Sequence, residues 1–309
     1  MLNAKFSPSE LAARFVIKGR ESNFIKIDDA LGHTYQNLTT PSQAVQILNM
    51  PEFNKMTGGL RPREFSILCG STGVGKTTFI ANLSAEFLRQ GVSHYVASVE
   101  TGALDYTRRV ISAFADKDLN TGEVVSKSEI MSIHKRFGST LKTDALQLAL
   151  YENRTRVEEL MSDITDAHIK HGAKIAIIDN LNFFMEVTRA SDANLEMDRV
   201  VHELVIFCKQ IDVHVIMIMH PKKNPMNARD TRVESEFEIR GSALAVQEAH
   251  NIFLLNRPRQ EDVDSGQCTV FDRELKIAKM RRYGKKVGTR LIFCSHNGVR
   301  YSEKGVIDP

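Results

Sequence analysis

Gly70-Ser71-Thr72-Gly73-Val74-Gly75-Lys76-Thr77 decides how the rest of this chain is read. A glycine, four further residues and then Gly-Lys-Ser/Thr bind phosphate when a strand precedes them and a helix follows. Both flanks are present. Glu64 to Cys69 is an apolar run of buried-strand length, and Phe79 to Leu88 places apolar residues at helical spacing. Gly70, Gly73 and Gly75, with Ser71, Thr72 and Val74 between them, let backbone N–H groups approach a polyphosphate, whose charge the helix N-terminus also favours. Lys76 would reach the β and γ phosphates, Thr77 would offer its hydroxyl to Mg2+, and Thr78 continues the first helical turn. The stretch therefore implies binding of ATP or another NTP with Mg2+.

Outward from this loop, apolar runs alternate with helical patterns, which implies an α/β fold: a mostly parallel sheet with helices on both faces. Further strands are expected at His94 to Val99, Lys174 to Ile178, Val213 to Met219 and Asn251 to Leu255. Glu274 to Ala278 and Arg290 to Cys294 are separated only by a short basic turn and read as an antiparallel C-terminal edge hairpin. Residues 103 to 172 read as helical and richly charged.

Three strands end in groups suited to phosphate chemistry. Asp179 closes an apolar strand, where a carboxylate lies beside the phosphates and helps hold Mg2+ through its water shell. Glu100 follows another strand, where it would polarise an attacking water, or else simply cap the next helix. His220 closes a third and would contact the γ phosphate, unless it is only a solvent-facing loop histidine.

Composition narrows the partners. A net charge of +3 with pI near 8.6 is mild, so a nucleic-acid surface must come from local clusters. Pro221 to Arg232 is one, a polar loop running on to Arg240, Gly241 and Ser242, suited to backbone phosphates of a single strand, although Glu234, Glu236 and Glu238 also fit a merely solvated loop. Lys276 to Arg290 is the other; it could supply an arginine finger, and charge alone does not separate Arg281 from Arg282. Four cysteines without metal-ligand spacing argue for a reducing compartment, with no zinc site and no disulfide framework. With no apolar run of membrane-spanning length and no signal-peptide block, the expected location is the cytoplasm, bacterial or that of a phage-infected host.

At 309 residues, one large domain with a small appendage is expected: residues 1–55 as a linker and docking-helix segment, and 56–309 as the catalytic domain. Ser7-Pro8-Ser9-Glu10 has capping-box spacing for a short helix through Phe15, and Gly32 to Pro51 reads as a linker. Met56 to Glu64 reads as a tight turn into the first buried strand.

In this order the motifs resemble the RecA-like helicase domain of ring-shaped replicative DNA helicases, the DnaB and Twinkle type, including phage versions. The likeness covers roughly residues 55 to 300 and lies in Gly59-Leu60, Gly70 to Thr77, Glu100, Ile178-Asp179-Asn180 and His220 to Pro225. It continues through Arg240-Gly241-Ser242, Gln247-Glu248-Ala249 and Lys279-Met280-Arg281. The resemblance implies a RecA-like P-loop NTPase core with Lys76 and Thr77 on phosphate and Mg2+, Glu100 as the water-activating base and Asp179 as the Mg2+-side acid. It implies that His220 and Gln247 sense the γ phosphate, that Lys279 and Arg281 act on the neighbouring subunit's nucleotide, and that Arg257 lies against the base. Lys222, Lys223, Arg229, Arg240 and Gly241 fall in the family's single-strand-binding loop. Glu248-Ala249-His250-Asn251 departs from the Glu-Ala-Asp-Asn of Twinkle-like chains, and Arg282 is an added cation. There is no room for a primase domain and no clear counterpart of the globular N-terminal domain of DnaB, so a separate primase or other replisome protein is expected unless the chain is a fragment.

The expected function is thus an ATP-dependent DNA helicase motor working on single-stranded DNA as a homo-oligomeric, hexameric ring. Two rivals stay open: a RecA/KaiC-like DNA-binding or regulatory ATPase without unwinding activity, and a weakly catalytic loader or adaptor. Unwinding of a forked duplex separates the first from the motor, and the turnover lost on substituting Glu100 separates the second.

Overall fold

The computed structural model describes residues 44–98, 100–119, 126–128, 131–132, 135, 146–149, 156–180, 193–222, 232–240, 243–282, 287–296 and 298–307. The chain divides into two compact units, Met1–Ser42 and Gln43–Pro309. The first, with the expected docking helix, lies outside the described residues, as do Lys223, Arg229 and Gly241.

In chain order the elements are α1 (Pro51–Thr57), β1 (Phe65–Cys69), α2 (Lys76–Arg89), β2 (His94–Ser98), α3 (Ala103–Ala115), β3 (Leu146–Ala149), α4 (Val157–His171), β4 (Ile175–Asp179), α5 (Ala193–Gln210) and β5 (His214–Met219). They continue with a single 3-10 turn at Glu236–Glu238, α6 (Ala243–Glu248), β6 (Asn251–Asn256), α7 (Gln260–Asp264), β7 (Arg273–Met280), β8 (Arg290–His296) and β9 (Arg300–Ile307). All nine strands form one sheet in the order β3-β2-β4-β5-β1-β6-β7-β8-β9. Pairing is parallel from β3 to β6 and antiparallel from β6 to β9.

β1 lies between β5 and β6, and its five residues are all buried. Phe65, Ile67 and Cys69 pack on one face with Leu160 and Ile164 of α4 and Val201 and Leu204 of α5. Leu68 joins the opposite face with Phe79, Ile80 and Leu83 of α2 and Tyr106 and Val110 of α3. A strand covered on both faces has no solvent side to alternate toward, so it is spelled as a continuous apolar run.

Three parts depart from the expectation. Residues 103–172 hold β3 as well as helices, and β3 forms one edge of the sheet by pairing with β2. The antiparallel C-terminal hairpin is extended by one more strand: β9 pairs with β8 and forms the edge itself. Its start is fastened to α2 by Asn82, which donates to Val299 O at 2.7 Å and accepts from Tyr301 N at 2.8 Å. The end of the expected 1–55 segment is core, because Ile47, Met50 and Phe53 are buried among the residues of the α2 face. α1 has Pro51 at its first position and ends at Gly58, in the left-handed region at φ 72°. The Glu303 carboxylate of β9 accepts from the otherwise unpaired N–H groups of Glu52 and Phe53.

Among the described residues no helix is long and apolar enough to cross a membrane.

Candidate active site

Because β1, β2, β4 and β5 run parallel, their carboxyl ends meet along one edge, which gathers the phosphate loop, Glu100, Asp179 and His220. The loop follows β1 and α2 opens at Lys76, with Gly75 at φ 99° as its N-cap. Gly70 is fixed by space: a Cβ there would lie 2.5 Å from the Leu255 carbonyl oxygen and 2.9 Å from Val74 Cγ1. Only a residue without a side chain lets the loop pass over the end of β6.

Lys76 is 7% exposed. Its Nζ donates to Gly70 O at 2.7 Å and Ser71 O at 3.0 Å and lies 3.3 Å from His220 Nδ1. Burial holds this ammonium below the usual lysine range. With Lys76 donating to Nδ1, the neutral His220 ring carries its proton on Nε2, which lies 3.8 Å from Glu100 Oε2. Burial and then the Lys76 charge lower the His220 pKa, and Glu100 opposes them.

Asp179 is almost wholly buried, and Thr77 Oγ1 donates to its Oδ2 at 3.0 Å. Burial pushes this carboxyl up to about 6, against the Thr77 hydrogen bond and the Lys76 charge. The next residue, Asn180, donates Nδ2 to Glu100 Oε2 at 2.6 Å, so the ends of β2 and β4 are joined through the catalytic candidate itself.

Asn180 was given no role by the sequence reading. Two other supports were missed with it: Arg273 on β7 donates Nε to Val74 O at 2.7 Å, and Arg109 on α3 lies 3.4 Å from Thr78 Oγ1. Arg273 and Val74 are 199 positions apart, a pairing that no local pattern carries.

Lys279 and Arg281 gather elsewhere. Lys279 Nζ donates to Val246 O and to Gln247 O, and Arg281 Nη2 donates to Gln247 O. These cations sit against the carbonyls that end α6, the helix that carries Gln247, where positive charge is favoured. Arg281 and Arg282 are both exposed. Arg257 is exposed just past the carboxyl end of β6.

The basic loop after His220 is closed at its base. Pro221 and Ile239 form an antiparallel bridge, Lys222 N donates to Glu238 O, and Arg240 N donates to His220 O at 2.8 Å. Its returning limb is held by Asn256, whose side chain accepts from Val233 N and donates to Val233 O, both at 2.9 Å. Beside it, buried Glu274 pairs with Arg232 and Arg290. Arg240 is exposed, and its backbone is one hydrogen bond from the histidine that touches Lys76.

Among solved structures, an ATPase domain superposes with a TM-score of 0.73 at 18% identity, covering 92% of this chain and 100% of that one. A DnaB-like replicative helicase, solved in a study of its interactions with primase, superposes with a TM-score of 0.69 at 19% identity, covering 95% of this chain and 69% of that one. At such identities the likeness is one of fold. Among curated proteins, the replicative DNA helicase DnaB of Pasteurella multocida (strain Pm70) is 25% identical over 236 residues, which is 74% of this chain and 49% of that protein. The chain thus spans about half the length of that relative. The model of the DnaB-like helicase C terminal domain matches residues 48–302, which include the phosphate loop, the three strand-end groups and both basic segments, and the chain therefore belongs to that family.

Proposed function

We propose that this chain is the motor of an ATP-dependent replicative DNA helicase, moving along single-stranded DNA as a hexameric ring with NTP hydrolysed at the subunit interfaces. The observation that carries the reading is the position of His220. Its ring lies against Lys76 and 3.8 Å from Glu100, while its backbone carbonyl holds Arg240 at the base of the basic loop. A change at the γ phosphate is thereby one residue away from a change at the DNA-facing limb.

The site's own residues fit an NTP with Mg2+. The loop is open backbone with a lysine at its centre, and Thr77 with Asp179 forms the hydroxyl and carboxylate pair that a hard cation takes when substrate phosphates and water supply its other ligands. Among the described residues no group of three or more His, Cys, Asp or Glu is arranged to hold a metal by itself, which suits an ion that arrives with the nucleotide. Bound there, Mg2+ would neutralise charge on the β and γ phosphates.

Lys76 would turn from the carbonyls of Gly70 and Ser71 to the phosphates. Glu100, oriented by Asn180, would accept the proton of the attacking water, and Arg281 from a neighbouring subunit would stabilise the charge that develops on the transferred phosphoryl group. Lys222, Lys223, Arg229, Arg240 and Gly241 would follow the DNA backbone.

The test is unwinding of a forked duplex, with the assembly imaged on single-stranded DNA and a non-hydrolysable nucleotide. Rings that separate strands only with a hydrolysable NTP are expected. Hydrolysis on a DNA-coating filament without strand separation would remove the motor reading, and so would a chain that stays monomeric with every nucleotide.

A further inference from the structure

Phe237 is 73% exposed, an aromatic ring presented to solvent at the centre of the 3-10 turn that closes the basic loop. Exposed single apolar residues are ordinary, but the way this one is held is specific. Ser235 Oγ accepts from Phe237 N, and Glu238 Oε1 accepts from the N–H groups of Glu234 and Ser235, so the turn carries its own capping box. Lys222 Nζ donates to the Phe237 carbonyl at 2.8 Å, and the Pro221–Ile239 bridge joins the two limbs on either side. The ring thus stands on a fixed backbone whose carbonyl is held by Lys222, with exposed Arg240 three residues further along the same limb.

We infer that Phe237 is a stacking platform for a base of the single strand, with Lys222 and Arg240 taking the adjoining phosphates. The inference rests on the single-strand reading proposed above and adds a contact to the bases, which that reading, built on backbone phosphates, does not contain. Every base has a π face, so one aromatic ring beside paired cations grips a strand without reading its sequence. The turn is acidic on paper, yet two of its carboxylates, Glu234 and Glu238, are engaged. Glu234 pairs with Arg232, Lys276 and Arg259, and Glu238 accepts the backbone N–H groups of Glu234 and Ser235. Three cations thus meet the acidic turn at Glu234.

The chain contains no tryptophan, so Phe237→Trp introduces a single indole at this place. The full chain carrying it is titrated with oligothymidylate and with an abasic oligonucleotide of the same length and charge, while the anisotropy of a label on the oligonucleotide reports binding separately. Oligothymidylate is expected to quench the indole, whereas the abasic strand binds without quenching. Phe237→Ala is expected to weaken oligothymidylate binding about tenfold and to leave abasic binding and nucleotide binding unchanged. Equal quenching by both strands, an unaltered indole on a strand that anisotropy shows to be bound, or quenching by nucleotide-driven assembly without DNA would each overturn the inference; the last would make Phe237 a subunit contact. If the unsubstituted chain binds neither strand, the single-strand reading fails and the stacking site goes with it.

Discussion

Thr77 and Asp179 lie 102 positions apart in sequence, yet the hydroxyl of one donates to the carboxylate of the other at 3.0 Å. Burial raises the pKa of this acid to about 6, against the Thr77 hydrogen bond and the charges of Lys76 and Arg109. Asp179→Asn and Thr77→Ala should each lower Mg2+-dependent NTP turnover by roughly 10- to 100-fold. Because the two groups are proposed to serve one ion, the double variant should lose much less than the product of the single losses. Steady-state turnover against Mg2+ concentration measures both effects; strictly multiplicative losses would mean that the pair does not act as one unit.

Glu100 is half exposed at its side chain, held by Asn180 on one oxygen and near His220 on the same side. Glu100→Gln keeps the shape of the side chain and removes its basicity. Turnover should drop by about 10²- to 10⁴-fold while the affinity for nucleotide is retained. Asn180→Ala should give a smaller loss, because it frees the proposed base without removing it. Pre-steady-state hydrolysis with fluorescent-nucleotide binding separates the two variants, and full activity in Glu100→Gln would exclude the carboxylate as the base.

Burial decided what could be read in advance. β1, β4, β5 and β6 are covered on both faces and appear in sequence as uninterrupted apolar runs, so the parallel core was legible. The groups that follow those strands, Asp179 and His220, were legible for the same reason, since a polar residue after such a run falls at the sheet's carboxyl edge. β9 was not, because a half-exposed strand such as Arg300-Tyr301-Ser302-Glu303-Lys304-Gly305-Val306-Ile307 buries only Tyr301 fully and has the composition of a surface loop. β3 is four residues long within a charged region. Arg273 and Arg109 support the site across tertiary space, and nothing in their neighbours in sequence marks them, while Asn180 stands beside the legible Asp179 but reaches a carboxylate 80 positions away.

Two histidines make stability sensitive to acid. His214 is fully buried, its Nδ1 bonded to Arg61 O at 2.7 Å and its Nε2 to Ser66 Oγ at 2.9 Å, while fully buried His94 packs edge-on to Phe87 with no partner for Nε2. Burial lowers each from 6.5 to about 4. Above pH 6.5 neither state is protonated there and the folded state has its full stability. As the pH falls, the unfolded chain takes up protons that the folded one accepts only near pH 4, so stability is lost across that window and then levels off. Each histidine should account for roughly 3 kcal/mol of the loss. Lowered values at His220 and His250 act in the same direction, and the raised value at Asp179 opposes them between about pH 6 and 4. Urea unfolding from neutral pH downward should show a shallower loss in His94→Leu than in the unsubstituted chain; identical slopes in the two would contradict the prediction.

Arg281 gives the sharpest test of the ring. In the single chain its guanidinium rests on the carbonyl of Gln247 at the end of α6, so the residue proposed to act on one nucleotide is bonded to the helix proposed to sense another. Arg281→Ala should reduce turnover by about 10³-fold in the presence of DNA, and Arg282→Ala, one residue away, should not. Loss of activity alone does not separate a finger from a helix cap. Mixing does: Lys76→Ala subunits have no working pocket but carry the arginine, and Arg281→Ala subunits have the pocket without it. If the arginine crosses the interface, some seams in a mixed ring join an intact pocket to an intact finger, and two inactive preparations should regain measurable hydrolysis when combined. If it works only within its own chain, no seam is whole and the mixture stays inactive, which would confine Arg281 to capping α6.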